Sequence, residues 1–78
     1  MAQILEITKE DSLKTQIMYK ANLSFTQLHD YLQFMLSNNL ILHKNREGRE
    51  VYVISAKGLS FLQMYSELLQ LLRTGTTP

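Results

Sequence analysis

Apolar residues recur at helical spacing through the first quarter of the chain. The aliphatic residues within 2–9 predict a short first helix. In the polar segment that follows, Asp11 or Ser12 is expected to cap a second helix by accepting from its free N–H groups. That second helix is predicted over residues 13–21, and its apolar face consists of Leu13, Ile17, Met18 and Ala21.

A capping box marks the start of a third predicted helix. The Ser24 hydroxyl can accept a hydrogen bond from the Gln27 N–H, while the Gln27 side chain reaches back to Ser24. The helix is predicted to run from Phe25 to residue 37 or 38. The asparagine pair at 38–39 can end it, because asparagine tolerates the left-handed backbone conformation.

The third helix is predicted to be amphipathic. At about 100° per residue, its inner face consists of Phe25, Leu28, Leu32, Met35 and Leu36. Its polar face consists of Thr26, Gln27, His29, Asp30, Gln33 and Ser37. Phe34 falls among these polar residues. We expect a hairpin or a second chain to cover its ring, in preference to a role as a wedge between bases.

After residue 39 the period changes from helical to strand-like. Two short β-rich runs, Leu40–Leu42 and Val51–Ile54, flank a polar tip at 45–50 that contains Gly48, and this predicts a β-hairpin. Ser55 is placed to cap a last helix over residues 56–73.

This order predicts a mainly α fold with a small β-hairpin: a winged helix-turn-helix with elements α-α-α-β-β-α. We expect residues 1–55 to form the winged helix-turn-helix domain and residues 56–74 to form a C-terminal dimerisation helix of the same domain. Residues 75–78 are expected to be a tail.

Length and composition narrow the function. The 78 residues suit one domain with a marginal core of its own. The absence of cysteine excludes disulfides and thiolate metal sites, and His29 and His43 lie too far apart to indicate a metal site. The sequence has no paired carboxylates, nucleophile–base pair or glycine-rich phosphate loop, so we expect neither an enzyme nor a cofactor or small-molecule ligand.

The sequence has no signal peptide and no apolar run of the ~20 residues that span a bilayer, so no membrane partner is expected. Cytoplasmic residence, in association with the nucleoid, is the expectation. The net charge of +1 argues neither for nor against a polyanionic partner.

The positions of polar and basic residues favour double-stranded DNA as a partner. In a helix-turn-helix the second helix, here 25–38, enters the major groove. The hairpin, here 43–52, would be the wing that reaches the adjacent minor groove or its phosphates. The candidate DNA-binding residues are Lys14, Lys20, Ser24, Thr26, Gln27, His29, Asp30, Gln33, Lys44, Arg46 and Arg49.

Each of these features also has a simpler interpretation. The polar face could be an ordinary solvated helix surface, and the tip an ordinary charged loop in which Glu47 and Glu50 dilute the positive charge. Asp30 disfavours non-specific phosphate binding. His29 is expected to be solvated in preference to acting as a pH sensor, and His43 is expected to be structural.

The last predicted helix has more apolar surface than its own domain needs. Its apolar residues cover an arc of about 180°, whereas one stripe of about 100° suffices for docking on a core. A two-fold homodimer would cover the surplus, and burial of the whole helix on its own domain is the alternative. The expected dimer interface consists of Phe61, Met64, Tyr65, Leu68, Leu69, Leu71 and Leu72.

The segment 14–41 also resembles a known family. Its distinctive features are Lys14-Thr15 followed by Ile17-Met18-Tyr19, Ala21-Asn22-Leu23-Ser24 before Phe25, Tyr31-Leu32, Leu36 and Leu40-Ile41, with Lys57-Gly58 opening the last helix. These features are similar to those of archaeal small winged-helix transcriptional-regulator-like proteins. That family includes chromatin-associated dimers joined by an antiparallel C-terminal coiled coil.

The resemblance implies DNA binding through the third helix and the wing, and dimerisation through the last helix. The function expected from the sequence is therefore a homodimeric winged-helix transcriptional regulator. The alternative is a winged-helix module that binds another protein and no DNA. Near-neutral charge and Asp30 favour that alternative.

Overall fold

The computed structural model describes residues 1–74, and the predicted tail at 75–78 lies outside these residues. The elements in chain order are α1 (Ala2–Ile7), α2 (Lys14–Ala21), α3 (Phe25–Ser37), β1 (Ile41–Arg46), β2 (Arg49–Ile54) and α4 (Ala56–Thr74). The two strands form an antiparallel hairpin. This order confirms the predicted winged helix-turn-helix fold.

One hydrophobic core joins the helices to the base of the hairpin. Its buried members are Ile4, Leu5, Ile17, Ala21, Leu28, Leu32, Met35, Leu40, Ile41, Tyr52, Ile54 and Leu62. The contribution of α4 comes from its first turns, through Leu62, whereas residues 63–73 are all exposed. The core therefore stabilises the start of α4 and leaves the rest of that helix outside it.

Thr8 ends α1 two residues before the predicted end of that helix. Its buried hydroxyl donates to the Ile4 carbonyl at 2.9 Å and to the Leu5 carbonyl at 3.1 Å. Its own carbonyl accepts from the Ile54 N–H at 2.7 Å. The Thr8 side chain thereby provides a hydrogen-bond donor for carbonyl groups of α1, and its backbone joins that helix to β2.

The predicted cap of α2 by Asp11 or Ser12 is wrong. The Ser12 hydroxyl points backward, donating to the Ile7 carbonyl at 3.1 Å and the Glu10 carbonyl at 2.9 Å. The Asp11 carboxylate instead binds Arg46 on the hairpin. The helix starts at Lys14, one residue later than predicted.

Leu13 and Gln16 replace the predicted cap. The Leu13 N–H donates to Gln16 Oε1 at 2.8 Å. A side chain in the first turn of α2 thus accepts a hydrogen bond from the backbone N–H of the residue that precedes the helix. Ser12 adds a bridge to the hairpin, because its backbone N–H and carbonyl bond to Tyr52 at 3.0 and 2.8 Å. The loop before α2 is thus attached to the base of the wing.

The hairpin turn is tighter than the predicted tip at 45–50. β1 ends at Arg46 and β2 begins at Arg49. The turn between them consists of Glu47 and Gly48, whose φ angles are 54° and 82°. Positive φ at both central residues is typical of a type I′ turn, whose twist matches that of the strands. The Gly48 N–H donates to Asn45 Oδ1 at 3.0 Å.

Asparagines end both helices of the helix-turn-helix. Asn22 after α2 has φ of 54° and Asn39 after α3 has φ of 59°, which confirms the predicted left-handed stop at the end of α3. Leu40 is buried next to this stop, and β1 begins one residue later than predicted, at Ile41. The predicted cap of α4 is confirmed, because Ser55 Oγ accepts from the Gly58 N–H at 3.0 Å.

Candidate nucleic-acid interface

The predicted capping box forms at the start of α3. Ser24 Oγ accepts from the Gln27 N–H at 3.2 Å, and Gln27 Oε1 accepts from the Ser24 N–H at 3.0 Å. Both side chains are exposed, but their acceptor oxygens are occupied by the backbone. Ser24 can still donate its hydroxyl proton and Gln27 its amide protons.

The polar face of α3 is open to solvent along the helix. Its exposed residues are Thr26, Gln27, His29, Asp30, Gln33 and Ser37. The opposite face is buried through Leu28, Leu32 and Met35. Neither α4 nor the hairpin covers the polar side, so a groove of another molecule can reach it.

Phe25 is the one residue of the predicted inner face of α3 that the structure moves to the surface. Its side chain is 63% exposed, and the Lys14 ammonium lies 4.8 Å from the centroid of its ring. The prediction is wrong because Phe25 occupies the first residue of the helix, beyond the edge of the core. The contact brings a predicted DNA-binding lysine of α2 against the start of α3.

The other predicted lysine of α2 lies apart from this contact. Lys20 is exposed in the last turn of α2, six residues from Lys14, which corresponds to about 9 Å along the axis. Six residues also separate the two lysines by about 120° around the helix, so they lie on different sides of α2.

The hairpin brings its three predicted basic residues to one face. Arg46 lies directly opposite Arg49 in the hairpin, so their side chains are on the same face. Lys44 precedes Arg46 by two residues on β1 and therefore lies on that face as well. All three basic side chains belong to exposed residues. The wing thus has a basic face in spite of Glu47 and Glu50.

One of these basic groups has a partner that sequence reasoning missed. Arg46 Nε lies 3.1 Å from Asp11 Oδ2, and both side chains are about half exposed, at 53% and 42%. An ion pair at this exposure contributes little to stability, but it lowers the net charge that Arg46 offers. The two residues are 35 positions apart, so no local pattern indicates the contact.

His43, which was expected to be structural, lies on the opposite face of the hairpin from the basic residues. Its ring stacks on that of Tyr52, with centroids 4.7 Å apart and planes 4° from parallel, and its Nε2 lies 3.4 Å from Glu50. Burial, followed by the negative charge of Glu50, raises the pKa of Tyr52 above its usual value. The pair belongs to the architecture of the wing.

Phe34 and α4 together form an apolar surface. Phe34 is 51% exposed, so the hairpin does not cover it; it lines an open groove of about 260 Å³ with Met1, Leu40 and Phe61 among others. Phe61 also lines a second apolar groove with Met64, Tyr65 and Leu68. The exposed apolar residues that were predicted for the dimer interface are Phe61, Met64, Tyr65, Leu68, Leu69, Leu71 and Leu72.

Other kinds of site are not indicated in the described part of the chain. Among residues 1–74, no group of three or more histidine, cysteine, aspartate or glutamate side chains could hold a metal ion. No helix in the same range has the length and apolar character needed to cross a membrane.

Comparison with known proteins agrees with this architecture. A protein family described as winged helix-turn-helix matches residues 1–73. An uncharacterised protein of Methanocaldococcus jannaschii is 39% identical over 70 residues, which cover 88% of this chain and 65% of the relative. A second uncharacterised protein of that organism is 34% identical over 71 residues, which cover 90% of this chain and 32% of the relative. The chain therefore spans less than two thirds of either relative.

A solved structure has a similar fold. Sso10a-2, a DNA-binding protein from Sulfolobus solfataricus, superposes with a TM-score of 0.72 over 96% of this chain and 82% of the other. The sequence identity is 18%, so the likeness is one of fold.

Proposed function

The chain belongs to the winged helix-turn-helix family, and on that premise we propose that it binds double-stranded DNA as a homodimeric transcriptional regulator. Helix α3 would enter the major groove and the hairpin would contact the flanking backbone as a wing. Residues 1–55 would contact DNA and residues 56–74 would join the two chains. This role would be carried out at the nucleoid, in the cytoplasm.

The observation that carries the proposal is the open polar face of α3. Thr26, Asp30 and Gln33 are exposed on a helix whose other side is fixed in the core, so their backbone positions are rigid. A rigid helix with an accessible polar side is what base readout in the major groove requires. Gln33 can pair with adenine, and Asp30 can accept from cytosine N4.

The basic face of the wing supports contact with phosphates. Lys44 and Arg49 contribute exposed positive charge on the face that they share with Arg46. Two or three such groups per protomer are enough for a measurable salt dependence, since each neutralised phosphate releases condensed counterions. The attachment of Ser12 to Tyr52 would keep the wing at a fixed position relative to α2.

The exposed apolar side of α4 supports a homodimer. Met64, Leu68 and Leu71 are 67%, 56% and 65% exposed, and contiguous apolar surface of this kind is characteristic of an interaction site. A two-fold dimer would present two α3 helices to half-sites about one helical turn apart, ~34 Å along the duplex.

A protein partner in place of DNA is the second candidate. The observation in its favour is the Asp30 carboxylate, exposed on the polar face of α3, in a chain whose net charge is +1. A carboxylate there would repel phosphates, whereas a protein surface could pair with it.

Salt-dependent binding to duplex DNA distinguishes the two candidates. Anisotropy titrations of a labelled mixed-sequence duplex at several salt concentrations should give a log–log slope of about −0.9 per phosphate contacted. The double variant Lys44→Ala, Arg49→Ala should bind with a shallower slope, because each protomer loses up to two phosphate contacts.

A control with the same change of charge makes the experiment specific to the wing. Lys9→Ala with Lys57→Ala also removes two positive charges, but from the turn after α1 and from α4, and should leave the slope close to that of the wild type. Wild-type protein that fails to bind the duplex at the lowest salt would refute DNA binding and favour the protein partner. An equal slope for both double variants would remove the wing from the interface.

A further inference from the structure

The fold does not require an aromatic ring at Phe25, because this residue lies beyond the edge of the core. It is 63% exposed at the first residue of α3, whereas Leu28 and Leu32 on the same helix are 0% and 2% exposed. The Lys14 ammonium lies 4.8 Å from the centroid of the ring, within the range of a cation–π contact. Phe25 is therefore an apolar group that α2 supports on the surface.

The polar side chains around Phe25 are partly committed to the capping box. Ser24 Oγ and Gln27 Oε1 each accept from the backbone, so neither acceptor is free to read a base donor. At the start of α3 the accessible groups are thus the ring of Phe25, the hydroxyl of Thr26 and the remaining donors of the box. An apolar ring among these groups favours an apolar feature of the ligand.

The major groove offers one apolar feature. Among the four base edges, thymine alone has a methyl group, on C5, and aromatic or aliphatic side chains contact it. The first residues of the second helix of a helix-turn-helix are those that reach base edges. Phe25 is both apolar and in that position.

We propose that Phe25 is a specificity-determining residue that reads thymine by covering its C5-methyl group, with Lys14 orienting the ring. The inference rests on the proposed DNA binding through α3 and adds its preferred base. It concerns a residue outside the polar set expected to contact DNA.

Replacement of thymine by deoxyuridine tests this directly, because deoxyuridine has the same hydrogen-bonding edge and lacks only the methyl group. Anisotropy titrations use two duplexes of one A·T-rich sequence, one with thymine and one with deoxyuridine throughout. The wild type should bind the thymine duplex roughly four-fold more tightly for each methyl group covered. Phe25→Ala should bind the two duplexes with nearly equal affinity.

Two further variants separate the methyl contact from other effects. Phe25→Leu keeps an apolar side chain and should retain part of the thymine preference. Tyr19→Ala removes another exposed aromatic ring, 89% exposed on α2, and should retain the whole preference. Circular dichroism spectra should be the same for all variants, since both substituted rings lie outside the core.

Each result has a definite meaning. Equal affinity of the wild type for the two duplexes overturns the inference and leaves DNA binding intact. The same is true if Phe25→Ala keeps the full preference while binding more weakly, since the ring would then contact only the sugar–phosphate backbone. Failure of the wild type to bind either duplex would refute the proposed function itself, and the thymine contact with it.

Discussion

Tyr52 connects the wing to the rest of the molecule. Its ring stacks on His43 across the hairpin, it is 9% exposed, and its backbone bonds to Ser12 in the loop before α2. One residue thus contributes to the core, to the pairing of the strands and to the attachment of the loop. The phenol is consequently held in a less polar environment than water.

The environment of Tyr52 makes stability depend on pH in the alkaline range. Burial first, and the charge of Glu50 second, raise the pKa of Tyr52 above 10.0, so the folded chain retains the phenol proton to higher pH than the unfolded chain does. This contribution is complete below the unfolded pKa of about 10 and is lost as pH rises through the folded pKa.

Tyr52→Phe has no phenol to ionise. In urea denaturation followed by circular dichroism, the wild type should lose stability more steeply than Tyr52→Phe above about pH 10. Lysines titrate in both proteins, so they cancel in the difference between the two curves. Parallel curves across this range would show that the phenolate is not disfavoured in the folded state.

Phe25 illustrates what periodicity can and cannot predict for a single residue. At about 100° per residue it lies only about 20° round the helix from Leu32, so its angle indicates the core side. Burial also requires a neighbouring element that covers this point of the axis, and Phe25 remains 63% exposed beside the Lys14 ammonium of α2. The sequence specifies the angle of a residue on its own helix but not where the neighbouring helix ends.

At the scale of elements, the sequence predicted every helix and strand, because each is bounded by a local signal. The capping box at Ser24, the cap at Ser55 and the stop at Asn39 all depend on contacts between residues a few positions apart. The starts of α2 and of the turn at Glu47 were less well predicted. At α2 the reason is long-range, because Asp11 and Ser12 bind Arg46 and Tyr52 of the hairpin and cannot cap the helix. At the turn the reason is local, because positive φ at Glu47 and Gly48 lets the strands pair up to Arg46 and Arg49.

The join between the hairpin and α4 depends on a close approach of backbone. Gly58 lies in the first turn of α4, where a Cβ atom would meet the Leu40 carbonyl oxygen and would lie 2.7 Å from Ile54 Cγ1. The carbonyl is itself fixed, because it accepts from the Ser55 N–H at 3.0 Å. Glycine is therefore required at this position by the close contact of α4 with Leu40 and Ile54, although the helix by itself would accept alanine.

Gly58→Ala should destabilise the protein even though alanine favours helix. We expect the free energy of unfolding to fall by about 1–3 kcal/mol, the usual cost of overpacking a filled site. Chemical denaturation measures this, with Ser60→Ala as the control because Ser60 is exposed in the same helix. That control should change stability by less than about 0.5 kcal/mol. A Gly58→Ala protein as stable as the control would show that α4 can shift away from Leu40 at no cost.

The whole molecule is elongated, and α4 accounts for its shape. The extents of 54 × 26 × 19 Å are those of a small domain with a projecting helix, and residues 63–73 of that helix are exposed. The alternative of complete burial of α4 on its own domain is therefore wrong for this part of the chain. A lone helix in water derives little stability from its propensity and depends on packing of its apolar face.

The apolar side of α4 consequently requires a partner, and a second copy of the chain is the proposed one. Leu68 lies near the middle of the exposed apolar residues and is itself 56% exposed. Leu68→Glu should prevent association, since a charge without a partner would be buried in the interface. In sedimentation equilibrium the wild type should have a mass near twice the 9.1 kDa of one chain, and Leu68→Glu should be monomeric or insoluble. Ser66→Glu introduces the same charge at an exposed position on the polar half of α4 and should remain dimeric. A soluble dimer of Leu68→Glu would mean that the two chains associate through another surface, and a monomeric wild type would mean that this helix binds a different molecule.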